Sequence, residues 1–312
     1  VFKIKWLLLL VGCYLGFAAV AADSRDELKL MHIGNSFSQN STQYLPELAK
    51  AGGKKITIFA AVKGGCSLQC HADLLQLAQQ NKPEGSGYGI AQDRQSAEGA
   101  MQGVSLSDAL KAEPWDIITV QQGSRQSFVT ASYEPHGERL IAQIKRDAPD
   151  AKILLHKTWA YHDGHRMFKE QQNKKKPVNH VDMHNQLTQA YNRFAARYRL
   201  AIIPSADAMS LAYQQLLKAD KLNRVGTSPK EQAAVVNSTS SIKQSSNMLY
   251  SDDGAHLDIA GKYLTAGVWY EVLFNESVVD VDFVPKGLDA ALAAELRMLA
   301  HQAVKQHNKQ TN

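Results

Sequence analysis

Apolar residues fall along this chain in short dense runs, separated by longer stretches where they recur every three or four positions. The runs Leu28–Ile33, Ile56–Val62, Ile117–Val120, Ile153–His156 and Leu200–Ile203 are dominated by Ile, Leu and Val. Near-continuous apolar runs of this length predict strands buried on both faces. Between them, helical spacing predicts Thr42–Ala51, with Ser41 as cap and Gly52-Gly53 as stop, then Ala72–Gln80, Leu106–Ala112 and Gly137–Lys145. Val181–Tyr198 sets Leu187, Tyr191, Phe194 and Tyr198 on one helical face, and Leu288, Leu292, Leu296 and Leu299 form a similar stripe near the C-terminus. Strands alternating with helices predict an α/β fold: a three-layer α/β/α sandwich around a mostly parallel five-stranded sheet.

Three segments fit neither pattern: Asn81–Gly103, Gly164–Asn179 and Asn223–Asn247 are polar and rich in Gly, Gln, Lys, Ser or Asn. In an open parallel sheet, loops after the strand C-termini surround the ligand crevice. Residues 1–22 stand apart. Lys3 and Lys5 precede an apolar run to Val20, and Ala19-Val20-Ala21 fits a small-x-small cleavage site, the pattern of a secretory signal peptide. Leu10-Val11-Gly12-Cys13 is the competing feature, a lipoprotein-type site that would anchor the chain through Cys13. No repeat or linker divides residues 23–312, which read as a single domain of a periplasmic or secreted protein with no membrane span after signal removal.

Charge changes the picture little. The whole chain carries a net +5, and losing Lys3 and Lys5 leaves about +3, spread along the sequence. That excludes the concentrated basic patch of a nucleic-acid binder. The Lys174-Lys175-Lys176 run sits in a polar loop and reads as solvated. Beyond residue 22 only Cys66 and Cys70 remain, four apart, either paired or as two buried thiols.

Candidate chemistry begins at Leu30–Asn40, LMHIGNSFSQN, where a strand stops at Gly34 and a single serine, Ser36, follows Asn35. A serine hydroxyl is a poor nucleophile at neutral pH without a base, and the base needs an orienting partner. SDDGAHLDIAGKYLTAG offers Asp253 and His256, three apart and just before an apolar helix. AYHDGHRM offers His162, Asp163 and His165 in a loop. His180 and His184, four apart, extend that second set into a candidate metal cluster, although His184 also continues the apolar stripe of its helix. Trp159 and Tyr161 are candidates for a substrate-binding wall or for packing.

Four blocks, in order, resemble the SGNH (GDSL) hydrolase superfamily. GNSFS resembles its G-D-S-x-S nucleophile block, and DGAH its D-x-x-H block. VKGGCSL is similar to its glycine block, and WDIITVQQGS lies where the fourth block stands. The resemblance implies a flavodoxin-like sandwich and an SGNH-type serine esterase needing no cofactor or metal. Ser36 would be nucleophile, His256 general base and acid, and Asp253 the partner of His256. Backbone N–H groups of Ser36 and Gly65, with Gly64 as the alternative, would face the oxyanion. Two positions depart from the family: Asn35 stands for the usual Asp, and no Asn follows the third predicted strand. Some carbohydrate-deacetylating branches carry a Gln-Gly pair there, so Gln122 is the expected side-chain donor, with Gln121 its rival. Arg125 falls at the Asn position without a gap and is a candidate substrate contact, as is Trp159. The implied partner is a small-molecule or polysaccharide acyl ester. A non-catalytic carbohydrate-binding protein on the same scaffold, and a metal-dependent hydrolase using His162–His184, are the competing readings.

Overall fold

The structure is a computed structural model that describes residues 27–90, 101–169, 176–217 and 248–311. The signal-peptide segment, Cys13, all of Asn223–Asn247 and the first two lysines of the triple run lie outside them. Five strands form an all-parallel sheet: β1 (Glu27–Gly34), β2 (Lys55–Val62), β5 (Ile117–Val120), β6 (Lys152–His156) and β7 (Ala201–Ile203), in the order β2-β1-β5-β6-β7. Each matches a predicted apolar run to within about one residue at either end, because a strand covered on both faces shows no polar side. β1 lies inside the sheet, in register with β2 from Glu27↔Lys55 to Gly34↔Val62 and with β5 from Leu30↔Ile117 to Ile33↔Val120. The sheet order changes direction on either side of β1, so loops leaving β1 and β5 diverge and open a crevice at their C-terminal ends.

Helices cover both faces. α3 (Leu68–Gln79), α4 (Leu106–Lys111) and α5 (His136–Asp147) pack together on one side. α2 (Leu45–Ala51), α8 (Ser205–Ala212), α9 (Ile259–Phe274) and α10 (Ala290–Thr311) pack together on the other. α9 is apolar all round, with thirteen of its sixteen residues buried, as a helix between a sheet and an outer helix requires. α10 supplies that outer cover through Leu292, Leu296 and Leu299. α6 (Arg166–Lys169) is a single turn after β6, and α7 (His180–Tyr198) buries Leu187, Tyr191 and Phe194 on its predicted face.

Two predicted elements differ. The expected helix from Thr42 is two helices, α1 (Ser36–Thr42) and α2, broken at Gln43-Tyr44. Ser41 is therefore inside α1 and caps nothing; its hydroxyl lies 3.3 Å from the His156 ring. Asn35 caps α1 instead, and Pro46, tolerated only in a first turn, marks the start of α2. Within Asn81–Gly103, strands β3 (Tyr88–Ile90) and β4 (Met101–Val104) pair antiparallel, a hairpin too short to leave a periodic signature.

The core contains neutral histidines. Burial, the largest cause in each case, lowers His71, His180 and His184 to about 4 and His156 to about 3. The unfolded chain protonates such side chains near pH 6.5, so between pH 6.5 and 4 it binds more protons than the native state. Their contribution to stability is complete above pH 6.5 and is lost as the pH falls towards 4. Glu271, raised by burial, acts in the opposite sense but is one group against four. The thermal midpoint is expected to fall from pH 7.5 to pH 5; a flat or rising midpoint by scanning calorimetry would contradict the buried neutral state of these rings.

Candidate active site

Position 34, the last of β1, has no room for a side chain: a Cβ there would strike Ser38 Oγ at 2.6 Å and Gln121 Cδ at 2.9 Å. The next residue, Asn35, is extended (φ −142°, ψ −160°) and caps α1, its Oδ1 accepting from the Phe37 N–H at 2.9 Å. That leaves Ser36 as the first residue of α1, half-buried at the crevice, with its N–H at a position where a helix has no internal acceptor.

His256 reaches the same point from the other end of the sequence. Its Nε2 lies 2.8 Å from Ser36 Oγ, and its Nδ1 lies 2.5 Å from Asp253 Oδ2. The carboxylate accepts the Nδ1 proton, which assigns the Nε2 lone pair to the serine hydroxyl. The other carboxylate oxygen, Oδ1, accepts the N–H groups of Ala255 and His256, both at 2.9 Å. Burial pushes the Asp253 carboxyl up, but the bonds from the His256 ring and these two N–H groups outweigh it and hold it below the ordinary value. Asp253 is therefore an anion across the neutral range.

The turn holding this pair is braced on every side. Gly254 adopts φ +67°, a conformation that favours glycine, and its carbonyl accepts from the His162 N–H at 2.8 Å. The Leu257 N–H donates to Asn40 Oδ1 at 2.9 Å, tying the dyad turn directly to the helix that begins with Ser36. The Leu249 carbonyl presses so closely on α9 that a Cβ at Gly261 would sit 2.1 Å from it. Behind the pair, the Trp159 indole donates to the Ala255 carbonyl at 2.8 Å and stacks on Phe37 at 4.3 Å between ring centres. Such a stack is worth about 1 kcal/mol beyond its burial.

The glycine block follows β2. Gly65, at φ +66°, lines the crevice opposite Ser36, and Cys66 is joined to Cys70 by a disulfide with 5.3 Å between Cα atoms. The pair therefore closes the loop onto the first turn of α3, deciding between the two states that spacing left open.

The fourth block departs from expectation. Gln122 does not face the crevice. Its Oε1 accepts from Leu68 N–H (3.0 Å) and Gly123 N–H (2.8 Å), and its Nε2 donates to the Ser132 carbonyl and hydroxyl, both at 3.0 Å. A buried amide with all four bonds made locally has nothing to offer a substrate. Gln121 is equally committed: its Nε2 donates to Asn35 Oδ1 at 2.8 Å, and its Oε1 lies 2.9 Å from His156 Nδ1. Trp159 is also not a crevice wall, being completely buried behind Phe37. Arg125, in contrast, is exposed and lines the crevice.

The crevice has a volume of about 810 Å³, and beyond Asn35, Ser36, Gly65, Asp253 and His256 it is lined by Ser124, Arg125, Tyr161, His165 and Arg166, among others. The histidine cluster does not converge. Among the described residues no three His, Cys, Asp or Glu side chains are placed to hold a metal ion. His180 Nδ1 instead lies 3.0 Å from the Tyr161 carbonyl, and Asp163 accepts the His180 N–H and the Tyr213 hydroxyl. These bonds fasten the loop after β6. Asn40, Phe37 and Arg166 are site residues that sequence patterns missed; only their adjacency to Ser36 and His165 marks them.

Replacing Gln122 by alanine orphans two buried N–H groups, which costs about 1–3 kcal/mol each at most when water cannot reach them. Urea denaturation is expected to show Gln122→Ala less stable than the parent, with at least one such loss; equal midpoints would mean the loop re-forms its bonds.

A family model described as a domain of unknown function (DUF4886) matches residues 29–303. No curated protein matches the chain. A solved structure of a DUF4886 family protein from Bacteroides uniformis ATCC 8492 is similar over 89% of this chain and 95% of its own, at 28% identity and a TM-score of 0.70. A candidate SGNH hydrolase from Slackia heliotrinireducens is similar over 78% of this chain and 98% of its own, at 17% identity and a TM-score of 0.46. A candidate GDSL-like lipase from Parabacteroides merdae ATCC 43184 is similar over 80% and 96%, at 15% identity and a TM-score of 0.44. The 29–303 match runs from the first strand into the last helix and takes in Ser36, Asp253 and His256, and the chain belongs to the DUF4886 family.

Proposed function

We propose that the protein is an exported serine hydrolase that cleaves short acyl esters, O-acetyl groups on carbohydrate being the favoured class. One observation carries the reading: Ser36 Oγ, His256 Nε2 and Nδ1, and Asp253 form a continuous hydrogen-bonded line opening on a crevice. Ser36 Oγ attacks the acyl carbon as its proton passes to His256 Nε2. The oxyanion is met by the N–H groups of Ser36 and Gly65. His256 then gives its proton to the leaving alcohol, and the ester bond to the sugar breaks. Water enters, loses a proton to the same nitrogen and adds to the acyl carbon; the bond to Ser36 Oγ then breaks as His256 returns that proton to Oγ, and the acid leaves. Asp253 remains ionised throughout and stabilises the imidazolium between the two proton transfers. The Cys66–Cys70 bond supports an oxidising compartment, where such bonds persist. The carbohydrate preference rests on the SGNH-like blocks and on a crevice lined by polar and aromatic side chains rather than an apolar tunnel.

The competing reading, a carbohydrate-binding protein on the same scaffold, draws on the inward turn of both Gln121 and Gln122, which leaves the oxyanion without a glutamine amide. Missing one such donor costs about 100- to 1000-fold in rate, which slows a hydrolase without stopping it.

Hydrolysis of p-nitrophenyl acetate by residues 23–312 decides between them. Activity that persists with chelator and disappears in Ser36→Ala is the expected result; no burst from the parent protein would favour the binding protein. A second variant probes the preorganised loop. Asn35 Nδ2 donates to the Cys66 carbonyl at 2.9 Å, a bond an aspartate cannot make. Asn35→Asp is expected to lower kcat by about 10- to 100-fold through displacement of Gly65, with KM little changed. Unaltered kcat would show that Gly65 is held without Asn35.

A further inference from the structure

The crevice carries charge that ester cleavage by Ser36 does not use. Arg125 and Arg166 line it from the loops after β5 and β6. Both side chains are exposed, and among the described residues neither is in an ion pair. Their backbones are nonetheless fixed. The turn under Arg125 is closed by Gln126 N–H to the Gly123 carbonyl at 2.9 Å and Ser127 Oγ to the Ser124 carbonyl at 2.9 Å. The turn bearing Arg166 is closed by Met167 N–H to His165 Nδ1 and Phe168 N–H to the His165 carbonyl, both at 3.1 Å.

One aromatic side chain links the two turns. The Tyr161 hydroxyl lies 2.7 Å from Ser124 Oγ, next to Arg125, and its ring lies 4.2 Å from that of His165, next to Arg166. The acidic lining groups, Asp252 and Asp253, come from a different place, the dyad turn, and Asp253 is bound to His256. The crevice is thus polarised, with guanidinium groups on the β5 and β6 loops and carboxylates on the turn that carries the base. A neutral ester has no use for two guanidinium groups without carboxylate partners, whereas a carboxylate matches their planar donor forks and is kept from the opposite wall by Asp252.

We propose, resting on the hydrolase reading above, that the substrate is an ester whose alcohol part bears a carboxylate, seated against Arg125 and Arg166 while the acyl group lies at Ser36. A uronic-acid sugar carrying an O-acetyl group has this chemistry.

Mono-O-acetylated glucuronic acid and mono-O-acetylated glucose differ at one carboxylate and serve as the probe pair. The ratio of their kcat/KM values is read in each protein, so partial misfolding of a variant cancels. The parent is expected to favour the acidic ester by about ten-fold or more, the scale of charge-assisted hydrogen bonds. Arg125→Ala and Arg166→Ala should each narrow the ratio, chiefly through KM, with Arg125→Lys intermediate, and 0.5 M salt should narrow it in the parent. A ratio near one, or one that both alanine variants leave intact, overturns the proposal. A second arm needs no turnover: calorimetric titration of Ser36→Ala with a glucuronic acid trisaccharide and its glucose counterpart. Tighter binding of the acidic sugar, lost in Ser36→Ala/Arg125→Ala, supports the carboxylate site even where neither ester is cleaved, and that pattern would count against the hydrolase alone. Equal binding of the two sugars counts against the carboxylate site.

Discussion

The Asn35 side chain is the joint on which the site depends. It caps the helix that begins with Ser36, holds the Cys66 carbonyl beside Gly65, and accepts the Gln121 amide from the end of β5. Three loops, from β1, β2 and β5, therefore meet on one buried amide. An amide suits the place because it donates and accepts at once; a carboxylate would accept all three ways and leave the Cys66 carbonyl facing a negative charge. Asn at position 35, where the resemblance would place Asp, is thus matched by its surroundings. A charge at a residue only 2% exposed would also need a counter-ion, and none of the partners seen there is one.

The same economy runs deeper into the sheet. From Asn35 the chain of hydrogen bonds continues through Gln121 to His156 Nδ1, and from His156 Nε2 to the hydroxyls of Ser41 and Ser205. Every member is neutral, since burial holds His156 far below its ordinary value. Because Gln121 Nε2 is used by Asn35, its oxygen must accept from His156, which fixes the proton on Nδ1 and leaves Nε2 to accept from the serines. A line of polar groups beneath the crevice thereby orders the ends of β1, β5, β6 and the start of α8 without a buried charge, at the cost of stability in acid.

The sheet was legible in the sequence because strands buried on both faces cannot hide their composition. The residues lined up by Ser36, Asp253 and His256 were legible for a different reason: a nucleophile, a base and an acid are recognisable by type, and a strand end and a helix start give their places. What failed was direction. Gln122 was the right residue type in the right loop, but nothing local in WDIITVQQGS says whether an amide turns outward to a crevice or inward to Leu68 and Ser132. That choice is made by the N-terminus of α3, which comes from more than fifty residues away. Trp159 failed likewise, since its partner Phe37 lies next to the nucleophile and far off in sequence. Ser41 had cap chemistry and a suitable position, but the cap at Asn35 started the helix six residues earlier and drew Ser41 into its interior.

The dyad itself lies open: the side chains of His256 and Asp253 retain 42% and 49% of their exposure. For an acyl-enzyme on Ser36 this bears on which acceptor wins. Transfer to a second alcohol needs water kept from His256 Nε2 while the acceptor is held, which takes a closed pocket. The loop after β6 packs on the turn at Gly254 rather than on the His256 ring, and Phe37 and Trp159 pack behind that ring. Bulk water at about 55 M then competes with any alcohol at far lower concentration, and proximity alone must overcome that excess for transfer to prevail. If the crevice holds the alcohol part by a carboxylate, as proposed above, the leaving sugar can also return, and its return merely reverses the first step. On the hydrolase reading, an exposed His256 Nε2 favours departure of the sugar and entry of water over transfer to a second alcohol.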